Sequence, residues 1–61
     1  MKLLLTQKKL FMNGMILDCD RMGISYPTGT HLRLKHGDTF IGVAKVNEEN
    51  GLKSVYLNIL S

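Results

Sequence analysis

Tryptophan is absent from this chain of 61 residues, cysteine and proline occur once each, and the aromatic residues are two phenylalanines and two tyrosines. With Cys19 alone, no internal disulfide can form, which removes the secreted, disulfide-stapled class and points to a reduced, cytoplasmic setting. No CxxC or HxxxH spacing accompanies Cys19, His31, His36, Asp18 and Asp20, so a four-ligand zinc site is not expected and no metal or cofactor is required. Long hydrophobic runs are also missing. Met1-Lys2-Leu3-Leu4-Leu5 begins like a signal peptide, but Thr6-Gln7-Lys8-Lys9 halts it short of the roughly 7 to 15 apolar residues such a segment needs. Nothing approaches the roughly 20 apolar residues of a membrane span, so no membrane association is expected.

Catalytic arrangements are equally scarce. Cys19 with His31 or His36 lacks an elbow, an oxyanion turn or an orienting third group, and Cys19 is more simply a small buried hydrophobe. Asp18, Asp20 and Asp38 fall in or beside turns, where aspartate serves backbone bonding. The six glycines are scattered singly, so there is no phosphate-cradling loop. Catalysis by this chain alone is not expected.

What the chain does carry is a basic balance, eight Lys and Arg against five Asp and Glu, for a formal charge of +3. That favours a polyanionic partner over an acid-reading one. Residues 1–61 form one domain at most, and a domain of this size buries only roughly 60% of the surface its unfolded chain exposes. Its core is small enough that each cap and turn counts, and a partner domain would help it.

Along the chain, Thr6 can cap a helix over residues 6–13, with Leu5 and Leu10 in hydrophobic-staple positions and Asn13-Gly14 closing it. Lys8 and Lys9 would then lie in the first turn, where the macrodipole disfavours cations; they are secondary candidates for phosphate contact. Met15-Ile16-Leu17 reads as a short strand and residues 21–30, with Gly23, Pro27 and Gly29, as a loop. From Thr30 alternation places His31, Arg33 and Lys35 on one face and Leu32 and Leu34 on the other, a half-buried strand with a basic outer side.

His36-Gly37-Asp38 is a turn, followed by an apolar strand over residues 39–46 that should be central. Strict alternation puts Phe40, Ala44 and Val46 on one of its faces and Ile41 and Val43 on the other, with Gly42 allowing close backbone approach. After the turn Asn47-Glu48-Glu49-Asn50-Gly51, residues 53–60 alternate again, with Val55, Leu57 and Ile59 inward and Tyr56 and Asn58 outward. The turns are too tight for helical crossovers, so the fold class is mainly β: a small antiparallel pseudo-barrel with one short N-terminal helix. Phe11 and Phe40 are expected in the core and Tyr26 in the loop. That leaves Tyr56 as the one outward aromatic on a strand and argues against a base-stacking surface. Backbone and shape recognition of structured RNA by basic side chains is what remains.

Two stretches, LLLTQKKLFMNGMIL (residues 3–17) and HLRLKHGDTFIGVAKVNEENGLKSVYL (residues 31–57), together resemble the C-terminal domain of bacterial tRNA pseudouridine synthase B, the TruB family. The likeness lies in a Leu-Thr helix start, an Asn-Gly helix end, a Leu-x-Arg-Leu strand, Phe-Ile-Gly, a small-residue-rich strand, and an acidic turn followed by glycine. The resemblance implies a PUA-like accessory domain that helps hold tRNA while a separate catalytic domain isomerises a T-loop uridine to pseudouridine. The chain would then be a domain of a larger synthase or a fragment encoded on its own. Ser54, Val55 and Tyr56 follow Lys53 where relatives carry a basic cluster, and no catalytic residue carries over to any position here.

The expected RNA-binding residues are Arg33, Lys35, Lys45 and Lys53, with Lys8 and Lys9, and the expected partners are tRNA and the parent catalytic domain. The alternative is an SH3-like interaction or docking module without RNA binding. Its apolar edges, residues 3–5 and 55–60, would pair with another domain or support weak self-association.

Overall fold

The helix starts earlier than a Thr6 cap implies. In the computed structural model, which describes residues 1–59, α1 spans Leu5–Met12 with Leu4 at the N-cap. Leucine has no side-chain acceptor, so only the reciprocal half of a capping box forms: the Leu4 N–H donates to Gln7 Oε1 at 2.8 Å. Moving the start forward puts Lys9 in the last turn, where a cation suits the dipole, and Lys8 in the middle of the helix. The Leu5–Leu10 staple is lost by the same shift, and both leucines are exposed. The other end follows the sequence closely. Gly14 takes φ +82°, its N–H donates to the Phe11 carbonyl and that of Met15 to the Leu10 carbonyl, the paired bonds of a Schellman close.

The expected 15–17 strand shrinks to β1, Leu17–Asp18, because the Asp18 carboxylate accepts from the Asp20 N–H and caps a one-turn helix, α2, Cys19–Met22. Three longer strands follow: β2 His31–His36, β3 Thr39–Val46 and β4 Gly51–Leu57. They form one antiparallel sheet in the order β1-β4-β3-β2, curled into a half-barrel with β3 central. The β2–β3 hairpin turns on Gly37 (φ +60°) and Asp38. The outer edge of β2 is covered by the N-terminal residues: the Leu3 N–H donates to the Lys35 carbonyl at 2.6 Å, and the Lys35 N–H to the Met1 carbonyl at 2.7 Å. This parallel bridge of Lys2 with Lys35 accompanies the burial of Leu3, whereas Leu4 and Leu5 stay exposed.

Two β-bulges set which side chains reach the core. Lys35 pairs with Phe40 while Leu34 pairs with Gly42, leaving Ile41 as the extra residue of β3. On β4, Val43 faces Tyr56 and Ala44 faces Ser54, so Val55 is extra. An extra residue reverses the phase of alternation beyond it. Ile41, Ala44 and Val46 therefore point inward, and Phe40 is turned out of the core to which strict alternation assigned it. Val55 and Ile59, expected inward, are exposed; Leu60 of the expected strand lies outside the described residues.

The core comprises Leu3, Phe11, Leu17, Cys19, Leu34, Ile41, Ala44, Val46 and Leu52, so Phe11 is its single aromatic ring. Within residues 47–51, Asn47 Oδ1 accepts from the N–H of Glu49 at 2.9 Å and of buried Gly51 at 2.8 Å, and Asn50 Nδ2 donates to Asp20 Oδ1 at 2.8 Å. Replacing Asn47 by alanine leaves the Gly51 N–H without its side-chain acceptor and should cost about 2 kcal/mol in chemical denaturation. Asn47→Asp, which keeps an acceptor oxygen, should recover most of that; equal losses in both variants would contradict the role given to Oδ1.

Candidate nucleic-acid interface

The register gathers the basic residues of separate strands into rows on the outer side of the sheet. His31 on β2, Lys45 on β3 and Lys53 on β4 are direct cross-strand partners in one row. The next row is Arg33, Val43 and Tyr56, and beyond the Ile41 bulge comes Lys2, Lys35 and Phe40. Strands lie about 4.8 Å apart, and same-face residues along one strand about 6.8 Å apart, so the charges form a grid on that scale. β2, β3 and β4 contain no Asp or Glu. Among the described residues the one ion pair is Arg21 with Asp18, 3.9 Å apart, Asp18 lying on β1 beside the Gly51 end of β4. Arg33, Lys35, Lys45 and Lys53 thus stand together, exposed, without an acidic partner.

Lys45 opposite Lys53 is a like-charge pair, which is unfavourable in a sheet. Beside the two lysines lies an open groove of about 450 Å³, lined also by Thr28, Asn47, Glu48, Ser54 and Val55. Lys8 borders a second groove, at the Phe40 end of the face, with Met12, Thr39 and Asn58. Lys9 is exposed but lines neither groove. His31 and Lys2 join the face beyond the residues selected from sequence. His31 was legible from the β2 alternation, whereas Lys2 arrives through a parallel pairing that no local pattern announces.

The aromatic content of this face is the main departure from expectation. Turned outward by the bulge, Phe40 stacks with Tyr56, the ring centroids 6.2 Å apart and the planes 18° from parallel. The Arg33 guanidinium carbon lies 5.1 Å from the Phe40 ring centroid, within cation–π range. Tyr56 is 50% exposed. Where the alternation predicts a single outward aromatic on the sheet, the fold supplies two, stacked on each other.

Comparison with known proteins gave no match to a family model, to a characterised protein or to a solved structure.

Elsewhere, Cys19 is fully buried, and desolvation, then the carboxylates of Asp18 and Asp20, push its thiol pKa above the ordinary value. A buried thiol held protonated is a poor nucleophile and packs as a small hydrophobe. Among the described residues no three His, Cys, Asp or Glu side chains converge as metal ligands, and no helix is long and apolar enough to cross a membrane.

Proposed function

We propose that this chain is a PUA-like accessory domain that holds tRNA beside the catalytic domain of a cytoplasmic tRNA pseudouridine synthase. Arg33, Lys35, Lys45 and Lys53 meet phosphates, with Lys8 extending the surface at the Phe40 end. The isomerisation of the T-loop uridine belongs to the catalytic domain, and this chain supplies affinity and position. The observation that carries the reading is the row in which Lys45 and Lys53 oppose each other directly, on three strands that contain no Asp or Glu. Such apposition costs stability in the free domain, and an anionic ligand lying across the row relieves it. The sequence resemblance gives the RNA and the enzyme their names.

With about three to four phosphates neutralised, the logarithmic salt slope should lie roughly between −2 and −4, so binding should weaken roughly 15- to 250-fold between about 50 and about 200 mM salt. Filter binding or a tRNA column measures it. The Arg33→Glu/Lys35→Glu double variant should lose most of the binding at low salt; equal affinity of the variant and the original chain would reject this surface.

A docking module is the second reading, favoured by the β4 edge. Among the described residues β4 pairs only at Gly51 and Leu52 on its outer side, and Val55 beyond them is 57% exposed. Such an edge accepts another strand. Docking there would appear as salt-insensitive association that survives Arg33→Glu/Lys35→Glu.

A further inference from the structure

We infer that Tyr56 and Phe40, braced by Arg33, form a platform on which an unpaired RNA base stacks, so that the domain grips an exposed single-stranded nucleotide as well as a phosphate track. This rests on the proposed RNA-binding face and adds the class of RNA element that it takes. Three independent features of the fold converge on it. The Ile41 bulge turns Phe40 out of the core, so the ring lies on the side that carries the charges. The Val55 bulge fixes Tyr56 opposite Val43, and the two rings lie 18° from parallel at 6.2 Å. Arg33 then sits against Phe40 at 5.1 Å, which engages that ring from the β2 side and leaves Tyr56, half exposed, as the ring with free area.

A lone exposed aromatic on a sheet is unremarkable. Here the pair is enclosed by cations: Lys35 is the direct partner of Phe40, Arg33 and Tyr56 flank Val43 in one row, and the Lys45–Lys53 row follows. Aromatic rings interleaved with basic side chains on a groove are the arrangement that binds single-stranded RNA, the rings taking base faces and the cations the backbone. Duplex RNA presents no free base face, so the platform discriminates in favour of loops, bulges and unpaired ends. Base identity is not read, since every base has a π-face.

The composition provides the assay. The chain has no tryptophan and two tyrosines, so in a Tyr26→Phe background the intrinsic fluorescence belongs to Tyr56 alone. An oligouridylate of about ten nucleotides, within the usual reach of such surfaces, should quench it saturably, while inorganic polyphosphate of similar charge should bind without a comparable quench. In a separate binding measurement, Tyr56→Leu should weaken oligouridylate binding roughly 5- to 100-fold with the salt slope unchanged, because stacking releases no counterions. Oligouridylate and polyphosphate binding alike, with no quench and no effect of Tyr56→Leu, would overturn the platform and leave the phosphate-binding face standing. If neither polyanion bound at low salt, both would be overturned. Because the quench is read with Tyr56 in place, it decides the matter even if Tyr56→Leu fails to fold.

Discussion

Replacing Gly42 by alanine is expected to destabilise the domain by about 3 kcal/mol or more, the largest effect of any single methyl group in the sheet. A Cβ at this position would collide with the backbone carbonyl oxygen of Tyr56 and come within 3.1 Å of Cε2 of Phe11. Neither neighbour can give way cheaply. The Tyr56 carbonyl belongs to the strand that pairs with β3 through Gly42 and Leu57, and Phe11 is the fully buried ring on which the small core is built. At the usual 0.05 to 0.15 kcal/mol per residue, a chain of this length has a total stability of roughly 3 to 9 kcal/mol, so the substitution removes a third of it or more. Thermal unfolding followed by circular dichroism should show a fall in Tm of roughly 12 to 24 °C. Gly14→Ala provides the comparison. It has open space around a would-be Cβ but a φ of +82°, so its cost is conformational only, about 1 to 2 kcal/mol. If Gly42→Ala melted within a few degrees of the original chain, the close approach of β3 and β4 that shapes the outer face would be wrong.

The second large effect separates stability from binding. Lys45→Glu places a carboxylate between His31 and Lys53, the direct partners of residue 45 on the two neighbouring strands. A like-charge contact becomes an attractive one, and the domain should gain from a few tenths to about 1 kcal/mol, toward the low end because the site is exposed and screened. RNA affinity should move the other way, falling about tenfold or more at low salt, with the salt slope shallower by about one. Substitutions that raise stability while removing function mark residues retained for binding. Unfolding curves and tRNA titrations on the same preparation test both halves. A variant that binds as well as the original would remove Lys45 from the interface, and one that is clearly less stable would contradict the pairing of Lys45 with Lys53.

These effects depend on features of different legibility. The turn at residues 47–51, the glycine close at Gly14, the Gly37 hairpin and the basic outer side of β2 are all written locally, because each depends on the φ, the hydrogen-bonding group or the period of a few neighbouring residues. The start of α1 was misplaced because Thr6 is a better cap than Leu4 by chemistry alone. In the fold, Leu3 is buried and tied to Lys35, and the helix begins immediately after that anchor, with Gln7 substituting for the missing cap. The candidate site shows the same division. Arg33 and Lys35 were visible as one face of one strand, whereas their union with Lys45 and Lys53 required the register of three strands.

By itself, then, the sequence determined the mainly β class, the positions of the hairpin turns, the central place of β3 and the basic character of β2. Only the tertiary structure decided that Phe40 faces outward. Phe11 fills the core beneath Gly42, Ile41 takes the inward position, and the extra residue this requires inverts the alternation at Phe40. A period of two is a property of an unbroken strand, and a bulge breaks it at a point chosen by packing between distant residues. The aromatic pair beside the lysines exists for that reason, and no window of neighbouring residues contains it.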